Sequence, residues 1–389
     1  MRAVVVTGTI LPEHHAIWRA AVARGVEVTL VGGNLNPYTG LWPWQDGDVP
    51  GVECVRLPVR QLRRGRGPIW WWYDGLGTVV DDRRPQIVHV LTEAWSTLVL
   101  QSLRIRRASP SLKVVAHGCD NQFLHGPRWE RALRTAAIRY TLGRLDGYLS
   151  WNREGAELAE RHGLRRGVAA AVVPAVVPEP SLFANGGSTA DARSRFALPA
   201  DRVVVGYIGR LTPEKGVLDL IDAVGRLDGT TTSCAVWGTG PLRDELGRLL
   251  GDRPQLGTLQ PPLPLADVPA ALRACDILAV PSTTTPEWKE QFGRIAVEAM
   301  HAGVPVVGYA TGALPEVVGN AGLLVQEGDV DGLSRAVELL AGDPARRTEL
   351  VARGRARAAA LYDPAVAAAA IVRYWEGVLD KPAGNGRAA

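Results

Sequence analysis

Lysine is scarce in this chain. Of 44 basic residues among 389, only Lys113, Lys215, Lys289 and Lys381 are lysines; the other 40 are arginines. Set beside abundant Ala, Gly and Val, the arginine excess reads as GC-rich coding bias, so a lysine inside a motif carries more information than an arginine. Cysteine is sparse too. Cys54, Cys119, Cys234 and Cys275 lie far apart with no Cys-x-x-Cys pair, which excludes a disulfide scaffold or zinc finger and points to a reducing cytoplasm. Long apolar runs are missing. The longest, Val168–Val177 and Ala365–Val372, fall short of the roughly 20 residues that a bilayer requires. The N-terminal run Ala3–Val6 is followed by Thr7, Gly8 and then Pro12 and Glu13, so no signal peptide is expected. The net charge is only +4 with no dense basic stripe, which argues against a nucleic-acid partner. No short repeat is visible, which excludes a solenoid.

Short β-branched runs alternate with longer amphipathic segments. The first half predicts strands near Ala3–Thr7, Glu27–Val31, Glu53–Leu57, Ile87–Leu91, Lys113–Ala116 and Gly147–Ser150. The second predicts them near Val203–Ile208, Ser233–Trp237, Ile277–Val280, Pro305–Tyr309 and Gly322–Val325. Such alternation means parallel sheets covered by helices on both faces, and two series mean two doubly wound α/β domains in tandem. The join is expected in the Pro- and Gly-rich stretch Pro174–Ser188, and Pro382–Ala389 reads as a frayed tail. Ligands of open parallel sheets bind beyond the carboxyl ends of the strands.

Two motifs in the second half bear chemistry. In Gly206-Tyr-Ile-Gly-Arg-Leu-Thr-Pro-Glu-Lys-Gly216 a strand ends in glycines and leads to a helix. Gly209 permits close backbone approach, and Arg210 and Lys215 suit a polyanion, the one as a fork and the other as a point charge. The plain alternative is a surface turn with two solvated cations. The second motif is Pro281-Ser-Thr-Thr-Thr-Pro-Glu-Trp-Lys-Glu290-Gln-Phe-Gly-Arg-Ile-Ala-Val-Glu298. It predicts a loop and then a helix starting near Gln291, whose first amides, around Phe292 and Gly293, would form an anion site. Glu290 and Glu298 would then lie roughly 12 Å apart along the axis. Glu298 falls in an apolar run, so it is expected to be buried and partnered, by ribose hydroxyls or by backbone amides.

Gly209-Arg-Leu-Thr-Pro-Glu-Lys-Gly216, then Trp237-Gly-Thr-Gly-Pro241, then the paired glutamates, then Gly303-Val-Pro-Val-Val-Gly-Tyr-Ala-Thr-Gly312 form an ordered series. It resembles the donor domain of retaining glycosyltransferases of family 4. The resemblance implies the GT-B fold, two Rossmann-like domains facing across a cleft. It implies an acceptor domain over 1–180 completed by a C-terminal crossover helix over 362–380, a donor domain over 188–361, and a tail over 381–389. It implies that Arg210 and Lys215 grip the donor pyrophosphate, that Glu298 holds the ribose, and that Glu290 meets the transferred sugar with the amides of Phe292 and Gly293. The base would lie near Leu259.

The first half resembles the acceptor domain more loosely. Thr7-Gly8-Thr9 stands where the family has a glycine loop over the phosphates, so Gly8 and Thr9 become donor-binding candidates. A histidine at the position of His117 implies contact with the donor sugar; the plain alternative is a core histidine bonded to backbone. His89, within its strand, reads as structural. Val172-Val-Pro-Ala-Val-Val-Pro178 departs from the family's Pro-Asn-Gly-Val-Asp, so nothing is carried over there. Glu13, Glu93 and Asp120 are expected at the acceptor edge, where several acids suit a cationic acceptor such as an aminocyclitol. With the actinobacteria-like composition, that points to an aminoglycoside-type antibiotic pathway.

No carboxylate is placed as an obvious nucleophile, so retention is expected by front-face return, with the leaving diphosphate accepting the acceptor proton. The expected donor is a UDP-hexose such as UDP-GlcNAc or UDP-Glc. No cofactor or metal is expected: Asp46-Gly-Asp48 and Asp329-Val-Asp331 lie among turn formers away from the donor motifs. Gly238-Thr-Gly240 lacks the rest of a dinucleotide fingerprint. Arg60-Gln-Leu-Arg-Arg-Gly-Arg66 followed by Trp70-Trp-Trp-Tyr73 allows three readings: a membrane-surface patch serving a lipid-linked acceptor, a sugar-stacking wall, or local packing. A nucleotide-sugar epimerase and a catalytically silent nucleotide-sugar-binding subunit remain as alternative functions.

Overall fold

The Val- and Ile-rich runs fold as buried parallel strands in a computed structural model, which describes residues 1–10, 15–35, 48–63, 67–122, 128–174, 177–184 and 187–381. Contacts divide the chain into two compact units. Unit 1 takes the described residues up to Val177 and returns from Pro364 onward; unit 2 is Pro178–Asp363.

Unit 1 has strands β1 (Arg2–Thr7), β2 (Glu27–Gly33), β3 (Glu53–Leu57), β4 (Val59–Gln61), β5 (Trp71–Tyr73), β6 (Ile87–Leu91), β7 (Lys113–Gly118), β8 (Gly147–Ser150) and β9 (Ala170–Val172). Seven of these form one parallel sheet in the order β3-β2-β1-β6-β7-β8-β9, and β4 and β5 pair as an antiparallel hairpin. Alternation sorts the side chains. Val4, Val6, Val88, Val90, Val114 and Ala116 pack on one face with Trp71 and Tyr73 from the hairpin. The aromatic run Trp70–Tyr73 is therefore largely core packing, and Trp70 itself meets Trp95 edge-on at 6.4 Å. Arg64, Gly65 and Arg66 lie outside the described residues.

The other face carries His89 and, opposite Leu149 on β8, His117. It is covered by the helix His15–Val22 and the C-terminal helix Pro364–Leu379, which contact one another. Trp375 is fully buried, stacked on Trp18 at 6.1 Å and edge-on to His89 at 5.4 Å. A hydrogen-bonded chain runs through this face: the Trp375 indole N–H donates to His89 Nδ1 (3.0 Å), His89 Nε2 meets His117 Nδ1 (3.1 Å), and His117 Nε2 meets the Val173 carbonyl (2.7 Å). An indole only donates and a carbonyl only accepts, so each neutral ring must accept at Nδ1 and donate at Nε2. Burial keeps both rings neutral; it lowers His117 to about 4 and His89 well below its usual range, the latter helped by His117.

Unit 2 has β10 (Val203–Ile208), β11 (Thr232–Trp237), β12 (Gly257–Leu259), β13 (Ile277–Val280), β14 (Val306–Tyr309) and β15 (Gly322–Val325). They form a parallel sheet in the order β12-β11-β10-β13-β14-β15, with an apolar core on each face. The strand order reverses between β10 and β13, which opens a crevice beyond their carboxyl ends. No helix among the described residues is long and apolar enough to cross a membrane.

Candidate active site

The two chemistry-bearing loops of unit 2 leave the neighbouring strands β10 and β13 at that crevice. Glycines let them meet. Gly216 has φ 65°, and a Cβ there would stand 1.8 Å from the Pro281 carbonyl, so only glycine brings the end of the first loop against the start of the second. A Cβ on Gly238 would lie 1.9 Å from the Gly209 carbonyl, and the Leu211 amide donates to Thr239 at 2.8 Å. The Gly238-Thr-Gly240 pair thus serves loop packing rather than a dinucleotide.

At the centre, Lys215 Nζ donates to Glu290 Oε2 at 2.7 Å, and the Ser282 hydroxyl donates to the same oxygen at 2.8 Å. The Trp288 ring centroid lies 4.3 Å from the ammonium. Burial pushes the Glu290 carboxyl up, but the Lys215 charge, with hydrogen bonds from Lys215, Ser282 and the Gly293 amide, outweighs it and holds the group below the usual carboxylate range. The site therefore presents an ionised carboxylate and an ammonium, each braced by the other. Arg210 lies nearby on the same loop, its side chain 43% exposed and loosely paired with Glu214 at 3.4 Å. Gly209 precedes it, its amide donating to the Trp237 carbonyl at 3.1 Å.

The helix after the second loop differs from expectation. It runs from Arg294 to Ala302 rather than from near Gln291, because Gly293 adopts φ 78° and breaks the helical path. Glu290 is thus a loop residue, and the distance between the two glutamates is not a helical rise. The Gly293 amide is turned onto Glu290, and the Phe292 ring is buried edge-on against Tyr362 at 5.7 Å, so that residue has only backbone to offer. Glu298 is buried on the helix and pairs with Arg294 at 3.1 Å. Leu259 ends the edge strand β12 and packs on one core face.

Unit 1 holds the remaining candidates. Gly8 follows β1, with its carbonyl accepting from the Tyr73 hydroxyl at 2.9 Å; Thr9 is buried, and the Thr7 hydroxyl donates to its carbonyl at 3.3 Å. His117 is the core histidine of the hydrogen-bonded chain, both ring nitrogens spent on His89 and Val173. Its contacts match the structural reading and leave no ring nitrogen for a sugar. Glu93 and Asp120 are both buried beyond the carboxyl ends of β6 and β7. Glu93 Oε1 accepts from the amides of Cys119 (3.0 Å) and Asp120 (3.2 Å), and Asp120 Oδ1 accepts from the Gln122 amide at 2.9 Å. Glu13 lies outside the described residues. Of the Asp-x-Asp triplets, Asp46 lies outside the described residues, Asp48 pairs with Arg56 at 2.6 Å, Asp329 caps a helix through the Gly332 amide at 2.8 Å, and Asp331 pairs with Arg226.

Burial, and then the Asp120 charge, push Glu93 up to about 7. Folding therefore tightens its hold on a proton. Its contribution to stability is greatest below its unfolded value of 4.5 and declines as pH rises to about 7. Glu93→Gln removes this decline, so the variant should gain on the wild type between about pH 5 and pH 8 in urea melts. A difference that does not change with pH would remove the assignment.

The glycosyltransferase families account for both halves of the chain. Residues 188–357 match the family described as Glycosyl transferases group 1, and residues 12–175 match the Glycosyl transferase 4-like domain. The chain belongs to the family 4 type glycosyltransferases. As a glycosyltransferase it is 30% identical over 367 residues to the 2-deoxystreptamine N-acetyl-D-glucosaminyltransferase of Streptomyces fradiae, across 86% of this chain and 82% of the relative. It is 30% identical to the 2-deoxystreptamine glucosyltransferase of Streptomyces kanamyceticus, across 76% of this chain and 77% of the relative. Its GT-B fold, two Rossmann-like α/β domains, is shared with sucrose-phosphate synthase from Thermosynechococcus elongatus (TM-score 0.72, 19% identity, 97% of this chain and 99% of the other). It is shared equally with Anabaena HepE solved with UDP and glucose (TM-score 0.72, 18% identity, 97% and 100%).

The sequence motifs point to Glu290 and Lys215 but not to Ser282 and Trp288. Ser282 follows a strand-ending proline and was findable from its position. Trp288, one of 12 tryptophans, had no distinguishing signal.

Proposed function

We propose that this glycosyltransferase moves a hexose from a UDP-sugar, UDP-GlcNAc or UDP-Glc, to an aminocyclitol, with retention and without a metal. The observation that carries the reading is the Lys215–Glu290–Ser282 constellation at the β10/β13 switch point. A pyrophosphate needs fixed cations, and Lys215 and Arg210 supply two on the first of these loops. A sugar needs an acceptor-rich partner, and Glu290 is an ionised, braced carboxylate. Glu298 serves the ribose, and the loop backbone at Gly209 and Phe292 lines the donor. The two relatives named as 2-deoxystreptamine glycosyltransferases support the acceptor class. Glu93 and Asp120 in unit 1 suit a polyamine. The four free thiols are consistent with action in the cytoplasm.

In the reaction the acceptor hydroxyl attacks the anomeric carbon from the face that the diphosphate leaves. The carbon–phosphate-oxygen bond breaks, the new glycosidic bond forms, and the departing phosphate oxygen receives the hydroxyl proton. Lys215 and Arg210 balance the charge that builds on that oxygen.

The test is incubation of the protein with UDP-GlcNAc or UDP-Glc and 2-deoxystreptamine, with and without EDTA, followed by NMR of the product. An α-linked pseudodisaccharide formed equally with EDTA is expected. A β-linked product overturns retention, loss of turnover with EDTA overturns metal independence, and UDP release without acceptor consumption overturns the acceptor class.

A further inference from the structure

Lys215 is held from two directions by groups of different kinds. Glu290 takes one of its three N–H donors in a charged hydrogen bond at 2.7 Å. The face of Trp288 lies 4.3 Å from the same ammonium and attracts it through the ring quadrupole without accepting a proton. The backbone that presents this ring is fastened independently. The Thr285 amide donates to the Trp288 carbonyl at 2.8 Å, and the Trp288 amide donates to the Thr285 hydroxyl at 2.9 Å. Neither bond uses the indole, so the loop can keep its path when the ring is changed.

We propose that Trp288 is a positioning residue for Lys215, its indole face holding the ammonium at the mouth of the β10/β13 crevice with N–H donors left for a diphosphate. The inference rests on the reading of Lys215 as a donor-phosphate ligand. A lysine has four rotatable side-chain bonds, and fixing them at the moment of binding costs side-chain entropy. A second carboxylate in place of Trp288 would fix the ammonium too, but it would repel the phosphates. An aromatic face confines the charge without neutralising it, and that suits a cation whose task is to meet an anion.

The experiment measures UDP affinity by calorimetry and donor turnover with UDP-GlcNAc for Trp288→Phe and Trp288→Leu, each alone and combined with Lys215→Met. Trp288→Leu should weaken UDP binding and lower kcat/KM by about 10-fold, and Trp288→Phe by only about 2-fold, following the strength of the aromatic face. In the Lys215→Met background both substitutions should become nearly silent, because the ring has no cation to hold. Phe and Leu costing the same, or Leu costing as much without Lys215 as with it, overturns the positioning role and leaves the donor site standing. Unchanged UDP affinity in Lys215→Met alone overturns the donor-site reading itself. If Trp288→Leu lowers the melting temperature, the Phe variant, with and without Lys215, carries the comparison.

Discussion

Replacing Lys215 with methionine should lower kcat by about 10²–10³-fold, the range seen when a preorganised charge partner is removed from a reacting oxygen. Two effects add. In the proposed reaction negative charge grows on the leaving diphosphate, so a cation aimed there stabilises the transition state more than the ground state, and kcat falls further than KM rises. Glu290 meanwhile loses its partner inside a pocket where its side chain is only 8% exposed. The carboxyl, held low chiefly by Lys215 against burial, would move up and begin to take a proton near neutral pH. The variant's residual activity should therefore rise with pH on a limb that the wild type lacks. Lys215→Arg keeps the charge but demands a flatter, larger space between Glu290 and Trp288, so it should recover part of kcat while leaving Glu290 ionised. Steady-state kinetics across pH for the three proteins would check this. Equal losses in Met and Arg, with identical pH profiles, would refute the electrostatic account.

The second large effect concerns stability. Trp375→Ala should destabilise unit 1 by about 3–5 kcal/mol, the usual cost of emptying a buried tryptophan site. The ring is fully buried against Trp18 and His89, and its N–H starts the chain that ends on Val173. Without it His89 Nδ1 becomes a buried acceptor with no donor, which adds about 1–3 kcal/mol. Trp375→Phe refills most of the volume but restores no donor, so it separates the two contributions. Both variants should also lose less stability on acidification than the wild type. The two histidines are neutral when folded and take protons when unfolded, so stability is lost as pH falls below their ordinary value of 6.5. Removing the indole frees His89 Nδ1 and loosens the packing, which brings the folded values back toward 6.5 and shrinks that loss. Chemical denaturation at about pH 7.5 and pH 5.5 measures the difference. A Trp375→Ala protein that melts like the wild type would show that the C-terminal helix is not integral to the unit 1 core.

The strands Glu53–Leu57, Ile87–Leu91, Gly147–Ser150, Val203–Ile208, Ile277–Val280 and Gly322–Val325 were legible to the residue, since most are short apolar, largely β-branched stretches between polar or turn-forming segments. The pieces that escaped are three residues long: the hairpin Val59–Gln61 with Trp71–Tyr73, and the edge strands Ala170–Val172 and Gly257–Leu259. Three residues carry no period, and an edge strand is specified by the neighbour it pairs with. The early helix start failed for a different reason. Gly293 could continue a helix or break one, and its Cβ-free contact with Leu314 selects the break.

At the site, Lys215 and Glu290 were named from their motifs, but their bond joins residues 75 apart and belongs to the strand order. His117 shows the limit most plainly. Its strand and its face could be read by counting, but not what covers that face, because the tryptophan at the head of its chain is 286 residues from His89.

That separation has a consequence for how the polypeptide is made. Unit 1 is interrupted: the helix Pro364–Leu379 that closes its second face is translated only after all of Pro178–Asp363 has been synthesised. At ribosomal speeds of about 5–20 residues per second, the surface around Trp18 and His89 waits on the order of ten seconds or more for its cover. Unit 2, whose described residues all lie between Pro178 and Asp363, can complete its core during that interval. The first unit to begin is thus the last to finish. A chain cut just before residue 364 exposes an apolar sheet face that quality-control proteases and chaperones can recognise, while unit 2 is already folded.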